Sequence, residues 1–344
     1  MKVLVPLVAV LGCAPPVPDL PVTVLDRQAD GTYALVARDV PELADPVHVT
    51  GEIATGFRGG AFLANFEEIA LDYHEGARLR VPWFEHDGAL VAADADGLVS
   101  WSFYAHLADI RRELVDRGWD VDPIFPVRFA WQPITPQDFL GTENAAYVLG
   151  SRTFVLFPDG LDGVPLAANA GVVRHEFGHA WFELLTTGVS GRPSPVPAGD
   201  LNAVRALNEG FADMVAALSL DEPRFIDPSL PLPDRDLSVD RVAIAAIYPD
   251  PDDPLLFGYD PYGLGSVYAS FVWTVREETD ERWATLDLVA SAIELWGLQS
   301  RQGASWSDPD RFVQNLIDLA DGPTRGIVCD AALLHLPESA FAGC

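Results

Sequence analysis

Two histidines and a glutamate lie within five consecutive residues of this chain, with His175 first, Glu176 beside it and His179 last. On an α-helix, side chains four residues apart project from one face, so both imidazoles can reach a single metal ion. Glu176 is rotated by about 100° around the helix axis from its neighbour, which brings its carboxylate beside the metal rather than onto it. The spacing predicts a metal site in which Glu176 acts as general base and takes a proton from water.

A third protein ligand is expected farther along the chain, because a catalytic zinc site has three protein ligands and one open position. Glu209 lies on the next predicted helix, and Asp213 follows it at helical spacing. We predict that His175, His179 and Glu209 hold one Zn²⁺ per chain. Asp213 is expected to hydrogen-bond a liganding histidine and to fix its tautomer.

Two alternatives concern the helix that carries the motif and the kind of cation that the chain binds. A buried helix whose histidines only pack is disfavoured, because buried polar groups need partners and flanking residues such as Val172 and Trp181 are apolar. Calcium is a second candidate cation, since Asp250, Asp252 and Asp253 lie close together in an acidic stretch. Their spacing does not match an EF-hand loop, so a solvated acidic loop is the better interpretation and a Ca²⁺ site is unsupported.

The two motifs, H-E-x-x-H followed by N-E-G-x-A-D, resemble those of the gluzincin metallopeptidases, and most closely the thermolysin and fungalysin group. The resemblance covers residues 98–344. It implies a two-lobed catalytic domain that opens with a long helix, here from Ser102 to Arg117. It also implies that Asn144 and Ala145 bind the substrate backbone in extended form, a contact that a free strand edge can make with a peptide.

A later segment carries a departure from the family pattern. The sequence from Tyr262 to Gly265 resembles the place where the family has His-x-x-Gly, with tyrosine instead of the histidine. The resemblance implies that Tyr262 donates a hydrogen bond to the oxyanion that develops on the scissile carbonyl. Tyr259 is a neighbouring alternative for this role. The segment between the two motifs is longer than in thermolysin, and the region before residue 95 is shorter than a full thermolysin-type propeptide.

The fold class predicted is α+β, with a β-rich N-terminal region followed by a two-lobed thermolysin-like metallopeptidase domain with a helical C-terminal lobe. Short apolar runs separated by Asp, Gly and Pro predict the strands. Apolar residues at helical spacing predict helices at 167–186, 201–219, 264–278, 282–297 and 309–321. The predicted divisions are a signal peptide at 1–12, a tether and β-rich region at 13–95, and the metallopeptidase domain at 96–344.

The first residues are typical of an export signal. An apolar run from Val3 to Leu11 is too short to span a membrane, and Gly12 and Cys13 follow it. This pattern resembles a bacterial lipoprotein cleavage site, with Cys13 as the lipidated first residue of the mature protein. An ordinary signal peptide with an incidental cysteine is the alternative. As a lipoprotein, the protein would face the periplasm or the cell surface and touch the membrane only through its lipid anchor.

Charge and cysteine content narrow the partners and the compartment further. The net charge is −29, and nucleic-acid binding requires clustered Lys and Arg, so nucleic acid is not expected as a partner. Cys329 and Cys344 remain near the C-terminus without the spacing of a metal site. An exported compartment permits disulfides, so we predict that these two cysteines are joined.

Together these features predict a zinc-dependent endopeptidase that acts on a peptide or protein substrate. One rival hypothesis is a zinc-containing surface lipoprotein that binds a partner without proteolysis, the metal being structural. Glu176 argues against it, because a structural site has no need of a base. A metal-free adhesin is a third hypothesis, which a one-to-one zinc content would eliminate.

Overall fold

The computed structural model describes residues 19–65, 70–135, 145–157, 163–188, 201–230, 235–243, 261–337 and 339–344. These residues form a mixed α+β structure, with two sheets in the N-terminal half and helices through the C-terminal half. The α+β class predicted from the sequence is confirmed at this level. Within these ranges, none of the helices has the length and apolar character needed to cross a bilayer.

Strands fill much of the chain before residue 157. In the described ranges they are β1 (Val22–Arg27), β2 (Tyr33–Arg38), β3 (Ala54–Asn65), β4 (Ala70–Arg78), β5 (Trp83–His86), β6 (Ala89–Ala92), β7 (Val127–Trp131), β8 (Ala145–Val148) and β9 (Thr153–Leu156). The smaller sheet has the order β2-β1-β6-β5, and the larger sheet has the order β4-β3-β7-β9-β8. β8 therefore lies at one edge of the larger sheet, antiparallel to its neighbour β9.

The larger sheet contains strands from both sides of the division predicted at residue 95. β3 precedes that division and pairs in parallel with β7, which follows it. At the start of this pairing, the backbone N–H of Val127 donates a hydrogen bond to the carbonyl of Ile53 at 2.9 Å. The division into an N-terminal region and a metallopeptidase domain stays a prediction, but the two parts share one sheet.

Helices follow the strands. In the described ranges they are α1 (Ala95–Asp116), α2 (Ala170–Thr187), α3 (Leu201–Leu220), α4 (Pro261–Thr279), α5 (Arg282–Arg301), α6 (Asp310–Leu319) and α7 (Gly322–His335). The five helices predicted after residue 160 correspond to α2 through α6, with ends that differ by a few residues. α7 was not predicted, because Gly322 and Pro323 interrupt the helical pattern between α6 and α7. Pro323 is tolerated there because it lies in the first turn, where its missing N–H has no helical partner.

Helix α1 begins earlier than the sequence suggested. The predicted start was Ser102, but the helix begins at Ala95, where the Asp94 side chain caps it by accepting a hydrogen bond from the Gly97 N–H at 2.8 Å. The first turn has no apolar periodicity, which is why the pattern placed the start too late. The cap is the kind of N-terminal signal that does predict such a start.

Helix α1 packs between the two sheets. Toward the smaller sheet, the Ser102 hydroxyl accepts a hydrogen bond from the Leu25 N–H at 2.9 Å, and His106 Nε2 donates to the Leu25 carbonyl at 3.0 Å. Toward the larger sheet, Phe103 packs against Phe129 and Phe154, with ring centroids 5.3 and 5.4 Å apart. The long helix thus connects the two sheets through a continuous core.

The C-terminal end of the chain is tied to α7. Cys329 of α7 and the last residue, Cys344, form a disulfide with their Cα atoms 5.4 Å apart. This is the pairing predicted from the sequence, and the two cysteines lie at disulfide distance.

Candidate metal centre

The start of α2 is fixed by buried hydrogen bonds. The Asn169 side-chain oxygen caps the helix by accepting from the N–H groups of Gly171 and Val172. Its amide nitrogen donates to the Ile226 carbonyl at 2.8 Å, and the Tyr33 hydroxyl donates to its oxygen at 3.0 Å. These contacts hold the first turn against two other parts of the chain. The position of the H-E-x-x-H motif, which follows one turn later, is therefore defined.

The motif lies within α2, as the sequence predicted. His175, Glu176 and His179 are 8%, 7% and 8% exposed, so all three polar side chains are buried. Their ligand-type atoms lie within 4.8 Å of one another. The Nε2 atoms of the two histidines face each other at 3.1 Å. Two imidazoles are thus directed at one point.

Glu209 reaches the same point from α3 because the two helices approach closely. A Cβ on Gly178 of α2 would lie 2.6 Å from the Cα of Ala212 in α3, so only glycine fits at this crossing. On the far side of α3, a Cβ on Gly210 would lie 2.7 Å from the carbonyl oxygen of Gly265 in α4. The glycines within both motifs therefore set the spacing of the helices that carry the predicted ligands.

The three predicted ligands have the geometry of a zinc site. Glu209 Oε2 lies 3.6 Å from the Nε2 of His175 and 3.8 Å from that of His179. Ligand atoms about 2.0–2.1 Å from a tetrahedral zinc ion are themselves about 3.3–3.4 Å apart, close to the observed separations. Glu209 Oε2 is buried and finds no hydrogen-bond donor among the described residues. A buried carboxylate oxygen without a donor is the arrangement that a cation would satisfy, so the residues fit a zinc ion.

Hydrogen bonds at the far ring nitrogens orient both histidines. His175 Nδ1 lies 2.9 Å from Asp213 Oδ1, and His179 Nδ1 lies 3.0 Å from Asn208 Oδ1. An Nδ1–H donor in each ring leaves the Nε2 lone pair directed at the candidate metal position. The contact predicted for Asp213 is thus present. The matching role of Asn208 was missed, although the residue stands directly before Glu209.

Arg235 is a member of the site that the sequence did not reveal. Its guanidinium binds the Asp213 carboxylate, lies 3.4 Å from His175 Nδ1 and stands over the ring of Tyr262 at 5.6 Å. Burial raises the pKa of Asp213, but the charge of Arg235 and the hydrogen bonds from His175 and Arg235 outweigh it and hold that pKa below its usual value. Asp213 is therefore a carboxylate.

Glu176 lies within 4.8 Å of the ligand-type atoms of both histidines, and it also contacts the sheet. Its Oε2 accepts a hydrogen bond from the backbone N–H of Tyr147 in β8 at 2.6 Å. Burial raises the pKa of Glu176 to about 7, and the charge of His175 and the Tyr147 N–H oppose that rise. A divalent cation bound nearby would also oppose this rise in the pKa of Glu176. A carboxylate with a pKa in this range can both take up and release a proton near neutral pH.

Tyr262 lies in the first turn of α4 at the rim of the cluster. Its side chain is 44% exposed and its ring faces the guanidinium of Arg235. Burial and the neighbouring charge of Glu209 raise the pKa of Tyr262, so its phenol is protonated at neutral pH. The role of this phenol in catalysis stays a prediction.

The remaining predicted residues divide between the described chain and the rest. Ala145 is buried in β8, two residues before Tyr147, whose N–H contacts Glu176. The other predicted positions outside the described residues are Cys13, Asn144, Asp250, Asp252, Asp253 and Tyr259. The structure thus brings together His175, Glu176, His179, Glu209 and Asp213, with Ala145 and Tyr262 nearby.

Comparisons with known proteins add no family to this geometry. No protein-family model matches the chain, and no curated protein sequence matches it at a significant level.

Proposed function

We propose that this protein is a zinc-dependent peptide hydrolase of the gluzincin type, with His175, His179 and Glu209 as metal ligands and Glu176 as general base. One observation carries the proposal: three buried donor atoms converge with separations of 3.1, 3.6 and 3.8 Å, beside a buried carboxylate that contacts a sheet edge. A site built only to stabilise the fold would have no need of that carboxylate.

The ligands and their partners prepare the site for the metal. Asp213 and Asn208 keep the two imidazoles in the tautomer that presents Nε2, and Arg235 balances the charge of Asp213. When bound, zinc would polarise the scissile carbonyl and lower the pKa of a water molecule. Glu176 would take a proton from that water as the water oxygen attacks the scissile carbonyl carbon, and would pass the proton to the nitrogen as the C–N bond breaks. Its bond to Tyr147 aims the carboxylate toward the sheet edge.

The edge strand β8 provides a surface for the substrate. Because the Tyr147 N–H donates to Glu176, it cannot also donate to its partner Phe154 in β9. In an antiparallel pair, the backbone groups of residues two apart point the same way, so those of Ala145 also point away from β9. An extended peptide can hydrogen-bond there by strand addition, next to the base. We include Asn144 in this surface on the resemblance alone.

Further parts of the proposal concern the oxyanion, the lobes and the location of the protein. Tyr262 donates a hydrogen bond to the oxyanion. The sheet that ends in β8 and the helices from α2 onward correspond to the two lobes of a thermolysin-like domain. The protein is exported and anchored by a lipid on Cys13, which the disulfide between Cys329 and Cys344 supports, because such bonds persist in oxidising compartments. A Cys13→Ala variant that remains in the membrane fraction would contradict the anchor.

Metal analysis tests the ligand assignment. The purified protein should contain one zinc ion per chain, and the His175→Ala, His179→Ala double variant should contain none. His106→Gln is the matched control, because His106 is a buried histidine on α1 whose hydrogen bond goes to Leu25. Stoichiometric zinc in the double variant would refute the assignment.

Hydrolysis by a Glu176→Gln variant tests the role of the base. The glutamine oxygen can still accept the Tyr147 N–H, so the variant should keep its zinc, whereas peptide hydrolysis should fall by about 10²–10⁴-fold. The exposed Glu294 of α5, changed to Gln, is the control for loss of a charge. A folded, zinc-loaded parent that cleaves no peptide would instead favour the partner-binding lipoprotein.

A further inference from the structure

A second carboxylate on α2 contacts the same strand as the base. Glu183 lies seven residues after Glu176, about two helical turns, and therefore on the same face. Its Oε2 accepts a hydrogen bond from the Tyr147 hydroxyl at 2.7 Å, and its Oε1 accepts from the Gly150 N–H at 2.9 Å. Glu183 is 5% exposed and Tyr147 is 7% exposed, so these bonds are shielded from water.

Tyr147 is thus bound to α2 at both ends. Its backbone N–H donates to Glu176 and its phenol donates to Glu183. Among the described strands, β8 is hydrogen-bonded to β9, from the Ala145–Leu156 pair to the Val148–Thr153 pair. The hydrogen bonds with β9 hold one side of this four-residue edge strand. The contacts of Tyr147 with α2 position its other side.

Packing alone does not explain why a glutamate occupies the buried position 183. An apolar side chain would suffice to fill a buried position between a helix and a strand, and it would carry no cost of burying a charge. The Glu183 carboxylate accepts hydrogen bonds from both Tyr147 and Gly150. Such charge-assisted bonds are short and directional, so they fix the relative position of the groups they join. The arrangement therefore specifies where β8 lies along α2, and not only that the two elements touch.

We propose that Glu183 and Tyr147 are positioning residues for the reaction. Their hydrogen bond sets the place of β8 relative to Glu176, and thereby the register in which an extended peptide backbone meets the base. The inference rests on the proposed function and deepens it, since it specifies a substrate that lies extended along β8.

Kinetics of a Tyr147→Phe variant test the inference. The change removes the phenol oxygen but leaves the backbone bond to Glu176 available. With a peptide long enough to lie along β8, kcat/KM should fall by about 10–100-fold, because displacement of reacting groups by about 1 Å has effects of this size. The loss should include a rise in KM. A variant that is merely less folded or less loaded with zinc shows a lower kcat at an unchanged KM.

Tyr104→Phe is the matched control for loss of a buried hydroxyl. The Tyr104 hydroxyl of α1 donates to the Glu42 carbonyl at 2.5 Å and accepts from the Ile53 N–H at 3.1 Å, so its hydrogen-bond partners lie outside β8. Both variants should lose similar stability, and only Tyr147→Phe should raise KM. At position 183, Gln keeps one acceptor oxygen whereas Ala keeps none, so Glu183→Gln should be less impaired than Glu183→Ala. An unchanged KM in Tyr147→Phe would overturn the inference, and so would equal activity of the two Glu183 variants.

Amide hydrogen exchange separates this inference from the proposed function. Exchange in residues 145–150 should accelerate by about tenfold in Tyr147→Phe, the loss expected for one buried hydrogen bond. Exchange there should not change in Tyr104→Phe. If the zinc-loaded parent hydrolyses no peptide, the proposed function fails, and exchange alone decides whether the Glu183–Tyr147 bond fixes β8. Equal exchange in parent and Tyr147→Phe refutes the positioning role.

Discussion

Addition of one methyl group to Gly178 is expected to weaken zinc binding without altering any ligand. Gly178 lies between Glu176 and His179 at the crossing of α2 and α3. A Cβ at this position would lie 2.6 Å from the Cα of Ala212 and 3.2 Å from its Cβ. The Cα of Ala212 belongs to the backbone of α3, so it cannot move away by a change of rotamer as a flexible side chain can. Gly178→Ala must therefore push α3 away from α2.

The size of the effect follows from these distances. Carbon atoms make favourable contact at about 3.5–4.0 Å, so the two backbones must separate by about 1 Å. Glu209 is carried by α3 and already lies 3.6 and 3.8 Å from the two Nε2 atoms. A further shift of about 1 Å would lengthen these separations well beyond the roughly 3.4 Å between two ligand atoms of a tetrahedral zinc ion. Asp213 moves with the same helix. We expect zinc affinity to fall by about 10–100-fold, as when the groups that orient ligands are lost.

A chelator competition titration measures this affinity, and urea unfolding measures stability. Overpacking by a methyl group costs about 1–3 kcal/mol, of which the better helix propensity of alanine offsets about 0.5–1 kcal/mol. Gly326→Ala is the matched control, because Gly326 lies in α7 and a Cβ there meets nothing within 4 Å. That variant should bind zinc as the parent does. Parent-like zinc affinity in Gly178→Ala would refute the view that this crossing positions Glu209.

Two further predictions concern the rim of the site and the C-terminal disulfide. Tyr262→Phe should keep zinc and KM but lower kcat by about 10²–10³-fold, as for loss of one oxyanion donor; an unchanged kcat together with a large loss in Tyr259→Phe would transfer the role to Tyr259. Replacing Cys329 and Cys344 by Ser should lower the free energy of unfolding by up to about 3 kcal/mol, since the bridge closes a short loop. Urea unfolding measures that change, and two free thiols in the unreduced parent would contradict it.

The residues proposed as ligands could be identified from the sequence because their relative placement is local or nearly so. His175 and His179 share a face by helical periodicity alone, and Glu209 belongs to a second short motif with its own apolar context. The contact between Asp213 and a liganding histidine followed from the same spacing. These predictions needed only the period of a helix and the ligand preferences of zinc.

Arg235 and Glu183 could not be predicted in the same way. Arg235 lies in a segment rich in Pro and Asp, and its burial depends on Asp213, which the chain brings to it only when folded. Glu183 lies on α2, but the role we propose for it depends on its hydrogen bond with Tyr147 of β8. The residue periodicity within one helix or strand contains no information about such long-range pairs. The late start predicted for α1 had a different cause, since Asp94 did offer a capping signal.

The place of β3 inside the larger sheet restricts how this protein can mature by proteolysis. β3 lies between β4 and β7, so a chain shortened to begin at residue 96 would lose β3 and β4 from this sheet. The backbone groups of β7 that now bond with β3, from Val127 to Trp131, would then be unpaired. An exposed apolar edge of this kind invites pairing with other chains. Removal of all residues before 96 is therefore incompatible with this sheet, because β3 and β4 are built into it.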